Sequence, residues 1–180
     1  RCLSRGLGDV YKRQPIILMG YINNFLTYKD LINRSHELGI DGVLVVDIPG
    51  ELSLKDYGID NHNLDIISLI SPTTSKERIT NIASNSSGFI YYVTLRGVTG
   101  SSNLDGDEIE RNIQYIKSVS QTPVMAGFGI KNKDDAQLLS SFSDGIVIGS
   151  SIVELINKNS ENKDFHEVSD YIRDMKDAIK

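Results

Sequence analysis

The sequence predicts an α/β fold built on a parallel β-sheet. Short apolar runs rich in Val, Ile, Leu or Tyr recur along the chain. Most of them are continuous rather than alternating, which is typical of strands buried on both faces. Helix-like segments separate the runs, and the spacing between strands, roughly 20 to 35 residues, fits successive βα units. Strand and helix therefore alternate throughout, as in proteins with a parallel sheet.

Six strands and six helices are predicted. The strands are Pro15–Met19, Gly42–Val46, Leu64–Ile70, Gly88–Val93, Pro123–Ala126 and Gly145–Ile148. The helices are Tyr28–Leu38, Ser75–Ser84, Asp107–Ser118, Asp134–Ser141, Ser151–Asn157 and Asp164–Ile179. Apolar residues at helical spacing support the first, third and last of these helices. A Ser-Pro-Thr-Thr cluster gives the second a capping region, and acidic residues begin the third.

The number of strands favours an incomplete barrel. A closed (β/α)8 TIM barrel needs eight strands and typically about 250 residues. The predicted sheet has about six, so two βα units are missing, and residues 15–180 would correspond to strands 3–8 of such a barrel. An open doubly wound sheet, which needs no further strands, is the alternative fold.

Residues 1–14 read RCLSRGLGDVYKRQ and differ from the rest of the chain. The stretch is basic and has neither helical nor strand periodicity, and Pro15 then begins a clean apolar run. We interpret it as a non-native or disordered leader. A genuine flexible arm is the alternative.

Composition excludes several classes of function. The net charge of -5 argues against nucleic acid as a partner, since proteins that bind a phosphate backbone usually carry a basic surface. A single cysteine excludes a disulfide framework, and three scattered histidines give no metal-ligand spacing, so no metal site is expected. No apolar run is long enough to span a bilayer. The expected location is the cytoplasm.

Three glycine-containing loops follow the last three predicted strands. They are Arg96–Gly100, Ala126–Ile130 and Ile148–Ile152. In barrels the carboxyl ends of the strands form the active-site face, and the late loops commonly bind phosphate. Gly149 and Ser150 lead into a short helix whose free N–H groups would favour an anion. One such loop alone would more often be a tight turn, but three in succession favour a phosphate site.

Aromatic and acidic residues near other strand ends are further candidates. Tyr21 follows the first strand, and either Tyr91 or Tyr92 should point into the barrel because neighbouring side chains alternate. A planar apolar substrate such as an indole could pack on such a ring, although ordinary core packing is the alternative. Asp47 ends the second strand, where it could be a general acid/base or a hydrogen-bond acceptor that stabilises its loop.

The order and spacing of five segments are similar to tryptophan synthase alpha subunits. These segments are PIILMGYINN, GIDGVLVVDIPGELS, FIYYVTLRGVTG, MAGFGI and IGSSIV, and the resemblance extends from Pro15 to about Ile156. It implies a TIM barrel that cleaves indole-3-glycerol phosphate to indole and glyceraldehyde 3-phosphate by a retro-aldol reaction. The resemblance implies no cofactor in this subunit. Pyridoxal phosphate belongs to a partner beta subunit, which receives the indole in an alpha2beta2 heterotetramer.

The resemblance also implies roles for single residues. Tyr21 would line the indole end of the site, and Tyr91 would contact the substrate. Gly100 would end a mobile loop. The remaining implied contacts are Phe128 and Gly129 in the loop after the seventh barrel strand, Gly149 and Ser150 at the phosphate, and Asp47 with Pro49 in a loop that faces the beta subunit.

The family's catalytic residues have no counterpart in this sequence. The resemblance places a catalytic Glu on the second barrel strand and an Asp in the following loop, both before Pro15. We therefore expect the chain as given to be inactive and poorly stable alone, with its substrate-binding residues retained. Two other functions are considered. One is a non-catalytic module that binds a phosphate ligand or a partner. The other is a different phosphate-binding barrel enzyme, which the loop Gly97–Gly100 and the run Asp47–Pro49 disfavour.

Overall fold

The computed structural model describes residues 14–59, 63–94, 106–127, 129–161 and 164–179. Within these residues the chain forms one parallel sheet of six strands in the order β1-β2-β3-β4-β5-β6. The strands are β1 (Ile17–Gly20), β2 (Gly42–Val45), β3 (Asp65–Ile70), β4 (Ile90–Val93), β5 (Val124–Gly127) and β6 (Gly145–Val147). Each predicted strand is therefore present, with ends shifted by no more than two residues.

Helices connect the strands. They are α1 (Ile22–Thr27), α2 (Lys29–Asn33), α3 (Ser35–Leu38), α4 (Lys76–Asn85), α5 (Gly106–Val119), α6 (Lys133–Ser140), α7 (Ser150–Asn159) and α8 (His166–Ala178), with a 3-10 helix at Leu54–Tyr57. Ser75 caps α4 by accepting a hydrogen bond from the N–H of Arg78; it directly follows the Ser-Pro-Thr-Thr cluster in which the cap was expected. No helix in these described segments has the length and apolar character required to cross a membrane.

The first predicted helix is wrong in its bounds. A single helix over Tyr28–Leu38 was expected, but the chain turns helical six residues earlier and forms the three short helices α1, α2 and α3. The breaks fall at Tyr28 and Arg34, whose backbone angles (φ -106°, ψ 39° and φ -97°, ψ 10°) lie outside the helical range. Of the apolar residues at helical spacing in the predicted helix, Ile32 is buried, whereas Leu31 is 39% and Leu38 is 51% exposed. The apolar spacing therefore identified one buried position and could not detect the two breaks in the backbone.

The outer face of the sheet carries the larger core. Side chains at alternate strand positions, including Ile70, Tyr92 and Val124, are fully buried there. They belong to one cluster with Ile82 of α4 and Ile113 of α5. This face is therefore closed by helices, as expected for βα units.

The inner face is smaller and more open. Leu44, Ile67 and Tyr91 form its buried centre. Met19 is in register with Leu44 and so lies on the same face, yet it is 63% exposed. In the described part of the chain β1 and β6 each have a strand on one side only. Over the described residues the sheet is therefore open and has six strands. The predicted leader, residues 1–14, lies outside the described residues except for Gln14.

Candidate functional site

The residues predicted to form a site lie at the C-terminal edge of the sheet. Tyr21 directly follows β1, and Asp47 lies two positions after β2. Gly129 lies two positions after β5, and Gly149 lies two positions after β6. Because all six strands are parallel, their C-terminal ends meet at one edge. Gly100 and Phe128, the other two predicted substrate contacts, lie outside the described residues.

Tyr91 forms the buried wall of the inner face. It is 8% exposed and packs in one cluster with Leu44 and Ile67. Burial raises the pKa of its phenol, so the ring is a neutral, largely apolar surface. Tyr92 points to the outer face, where its hydroxyl accepts a hydrogen bond from Asn112 Nδ2 at 2.9 Å. Tyr91 therefore lies on the inner face and Tyr92 in the outer core, as alternation along the strand requires.

Gly127 makes room for the Tyr91 ring. A Cβ at residue 127 would stand 3.1 Å from Cε2 of Tyr91 and 2.5 Å from the carbonyl oxygen of Val147. The carbonyl oxygen of Gly127 accepts hydrogen bonds from the backbone N–H (2.9 Å) and the hydroxyl (3.3 Å) of Thr94, which is fully buried. Gly127 was expected only as part of the loop Ala126–Ile130, and Thr94 was not predicted as a site residue. The strand pattern could have indicated Gly127, because it lies in register with Val93 and so faces inward two positions after Met125.

Tyr21 follows the edge strand β1, at the end of the sheet away from β4 and β5, and is 59% exposed. It immediately precedes α1, and its own N–H donates to Asn24 Oδ1 at 3.3 Å. The next N–H, that of Ile22, donates to Asp47 Oδ1 at 2.7 Å. Asp47 is exposed, and its carboxylate accepts this hydrogen bond at the start of α1. Asp47 is therefore a hydrogen-bond acceptor, but toward the segment after β1 and not within its own loop, where that role was expected.

Pro49 lies on the segment that follows β2. This segment, with Ile66 and Leu69 of β3, encloses a small cleft of about 110 Å³. The segment is tied to α4 at two points. Glu51 accepts from Arg78 Nε at 2.5 Å, which lowers the pKa of Glu51, and its backbone oxygen accepts from Asn85 Nδ2 at 3.2 Å. The loop around Asp47 and Pro49 is thus anchored at both ends.

The start of α7 has the features of an anion site. Its first turn holds no acidic residue, and its N-cap, Gly149, offers no side chain to the free N–H groups that begin any helix. A Cβ at Gly149 would meet nothing within 4 Å. The hydroxyl of Ser151 donates to the carbonyl of Ile130 at 2.9 Å and so ties α7 to the loop after β5, where Gly129 has a φ of 72°. Sequence reasoning missed Ser151, whose role depends on that tertiary contact.

An outer groove lies beside the same helix start. Its volume is about 420 Å³, and it is lined by Lys131, Ser150, Ser151, Glu154, Leu155, Lys158 and Tyr171. Within the described ranges no group of three or more His, Cys, Asp or Glu residues is arranged to hold a metal ion.

Comparison with known proteins decides the family. The family profile described as tryptophan synthase alpha chain matches residues 4–180. The chain belongs to the tryptophan synthase alpha chain family. It is 38% identical over 174 residues to the tryptophan synthase alpha chain of Neisseria meningitidis serogroup B, and 39% identical over 168 residues to that of Thiobacillus denitrificans. Both alignments cover 92% of this chain.

Solved structures of this family share the fold. A tryptophan synthase alpha subunit from Legionella pneumophila superposes with a TM-score of 0.77 at 32% identity, covering 94% of this chain and 64% of that one. A second structure from the same species gives 0.76 at 34% identity, with 92% and 62% coverage. The curated alpha chains named above are likewise covered over only 64% and 62% of their length. The sheet described here is therefore part of a TIM barrel, as predicted, and the open doubly wound alternative is wrong.

Proposed function

We propose that the protein cleaves indole-3-glycerol phosphate to indole and glyceraldehyde 3-phosphate, and that this chain supplies the groups that bind the substrate. Family membership and one arrangement support the proposal. An apolar aromatic wall and an unblocked helix N-terminus lie on the same barrel portion. They match the two ends of the substrate, a flat apolar ring and a phosphate.

The indole would lie against the inner face. Tyr91 offers a ring whose neighbours, Leu44 and Ile67, are apolar, and ring–ring contacts of this kind contribute about 0.5 to 1.5 kcal/mol beyond burial. Tyr21, exposed at the other side of the sheet, is proposed to line the same end of the substrate.

The phosphate would lie at the start of α7. The N–H groups of Ser150 and Ser151 have no acceptor within the helix because they belong to its first turn. They combine with the helix dipole to favour an anion. The space around Gly149 leaves room for phosphate oxygens. Gly129, and Gly100 and Phe128 among the undescribed residues, are proposed as further contacts.

Retro-aldol cleavage needs a base and an acid at the indole ring and the glycerol hydroxyl. We assign neither role to a residue of this chain. Asp47 was a candidate for one of these roles by its position after β2, but its carboxylate accepts a hydrogen bond from the N–H of Ile22 at 2.7 Å. The contribution proposed for the chain is therefore binding and orientation of the two substrate ends.

The partner and setting are also proposals. The family relationship supports a beta subunit as partner, arranged as an alpha2beta2 complex, with Asp47 and Pro49 in the loop that faces it. Pyridoxal phosphate would be held by that partner, and the alpha chain would need no cofactor. The negative net charge and the cysteine content are consistent with a cytoplasmic protein.

Isothermal titration calorimetry of the 180-residue chain with indole-3-glycerol phosphate tests the proposal. We expect saturable binding that competes with both indole and glycerol 3-phosphate, because each occupies one end of the site. Phosphoribosyl compounds that lack the indole serve as the control and should compete only through the phosphate. Failure of indole to compete, with glycerol 3-phosphate still competing, would contradict the indole site proposed on the inner face.

A further inference from the structure

Tyr21 is held from both sides by the segment after β2. The carbonyl of Gly20 accepts from the N–H of Val46 at 2.9 Å, which continues the β1–β2 ladder. The N–H of Ile22 donates to Asp47 Oδ1 at 2.7 Å. The two hydrogen bonds come from consecutive residues and reach the backbone immediately before and immediately after Tyr21. The two peptide groups that set the direction of the Tyr21 side chain are therefore each bonded to the segment after β2, in addition to their bonds with α1.

The Asp47 contact is the stronger constraint on the α1 side. It is charge-assisted, and it places a carboxylate at the positive end of α1, whose own first turn has no acidic residue. The local contacts join neutral groups: the carbonyl of Tyr21 accepts from the N–H of Asn24 at 3.0 Å, and Asn24 Oδ1 accepts from the N–H of Tyr21 at 3.3 Å. A six-residue helix also gains little stability of its own.

Packing does not hold the Tyr21 ring. Its side chain is 59% exposed, whereas Tyr91 on the same sheet is 8% exposed and confined by its neighbours. The position of an exposed ring depends on its backbone, and the bond from Asp47 to Ile22 is one of the contacts that fix this backbone.

We propose that Asp47 is a positioning residue that holds Tyr21 in place as one wall of the indole subsite. This inference rests on the proposed function, since it assigns the ring of Tyr21 to the indole end. It gives Asp47 a role inside its own chain, distinct from any contact with a partner.

The test compares Asp47→Ala with Asp47→Asn. Alanine removes the acceptor, whereas the Asn side-chain oxygen can still accept from the N–H of Ile22. Two quantities are measured for each variant: hydrogen exchange of the Ile22 amide by NMR, and the affinities for indole and for glycerol 3-phosphate. We expect Asp47→Ala to expose the Ile22 amide to exchange and to weaken indole binding about fivefold. Glycerol 3-phosphate binding should not change, and Asp47→Asn should restore indole binding to within about twofold of the unmodified chain.

A double variant connects the effect to the ring. If Asp47 acts through Tyr21, then in a Tyr21→Ala background the Asp47→Ala change causes no further loss of indole affinity. Urea unfolding of each variant verifies that it is folded.

Three other outcomes would contradict the positioning role of Asp47, and they can be told apart. Unchanged indole affinity in a folded Asp47→Ala chain overturns the positioning role and leaves the proposed function intact. Equal losses for indole and glycerol 3-phosphate indicate general destabilisation and also overturn it. If the unmodified chain binds glycerol 3-phosphate but no indole, the proposed function itself fails, and the positioning role fails with it.

Discussion

Tyr91 on β4 leans along the sheet toward Gly127 on β5. In the strand register Tyr91 is paired with Met125, yet the nearest approach of its ring to a Cβ at residue 127 would be 3.1 Å. The ring is therefore inclined toward the C-terminal edge, where the proposed site lies. It can adopt this position because residue 127 has no side chain.

Gly127 and Gly149 form a matched pair for substitution by alanine. At Gly127 the new Cβ would meet the Val147 carbonyl at 2.5 Å and the Tyr91 ring at 3.1 Å, so we expect Gly127→Ala to lower the free energy of unfolding by about 1 to 3 kcal/mol. At Gly149 a Cβ meets nothing within 4 Å, so Gly149→Ala should change that free energy by less than about 1 kcal/mol. Urea denaturation measures both.

Gly149→Ala, the variant expected to keep its stability, should be the one that loses affinity for glycerol 3-phosphate. The space at Gly149 is where phosphate oxygens are proposed to lie, so Gly149→Ala is expected to weaken glycerol 3-phosphate binding despite its normal stability. If Gly149→Ala bound glycerol 3-phosphate as tightly as the unmodified chain, the phosphate site would have to lie elsewhere.

Substitutions of Tyr91 separate its ring from its hydroxyl. Tyr91→Ala removes a buried aromatic side chain and should cost about 3 to 5 kcal/mol of stability, with loss of indole binding. Tyr91→Phe keeps the ring that is proposed to contact the indole, so stability and indole affinity should both change little. Calorimetry with indole, alongside urea denaturation, checks both variants. A large loss of affinity in Tyr91→Phe would show that the hydroxyl, and not the ring face, is the recognition element.

Ser151 connects the two loops of the proposed phosphate end. Its hydroxyl donates to the carbonyl of Ile130, a residue that is only 3% exposed, so Ser151→Ala leaves a buried acceptor without this partner. We expect a loss of about 1 kcal/mol in stability and a few-fold weaker affinity for glycerol 3-phosphate. Ser160→Ala is the control at the other end of α7, where the hydroxyl donates only to Asn157 of the same helix end. Equal effects of the two variants on affinity would contradict the role given to Ser151.

Asp144 stabilises the N-terminal edge of β5. Its Oδ2 accepts from the N–H of Val124 at 2.8 Å, and its Oδ1 accepts from Lys117 Nζ at 2.8 Å. Partial burial works to raise the pKa of Asp144, but the hydrogen bonds from Lys117 and Val124 prevail and hold this pKa below its usual value. Asp144→Ala should cost about 1 to 2 kcal/mol, because the N–H of the buried Val124 loses its acceptor. Asp144→Asn should cost less, since an amide oxygen can still accept.

The pH dependence follows from the sign of that shift. Because the pKa of Asp144 is lower in the folded chain than in the unfolded chain, its contribution is present above the unfolded value, about 3.9. That contribution is lost as pH falls through the folded value. Urea denaturation at pH 7 and near pH 3 should therefore show a smaller gap between Asp144→Ala and the unmodified chain at the lower pH. Asp170→Ala, which removes an exposed ion pair with Arg173, is the control and should change stability by less than about 1 kcal/mol. A gap that stayed constant with pH would contradict this account of Asp144.

The sequence by itself determined the parallel βα architecture, the positions of all six strands and the residues at their C-terminal ends. Continuous apolar runs and the spacing between them specify strands buried on both faces, and alternation within β4 specified that one of two adjacent tyrosines faces the site. These features are local, so they can be recognised without knowing which segments meet.

Only the tertiary structure decided how the site is held together. The bond from Asp47 to Ile22 spans 25 residues, that from Ser151 to Ile130 spans 21, and those from Thr94 to Gly127 span 33. The breaks in the first helical segment at Tyr28 and Arg34 were likewise visible only in the structure, as backbone angles outside the helical range. A hydrogen bond between loops depends on the register of the strands that carry them, and register is established only when the sheet forms.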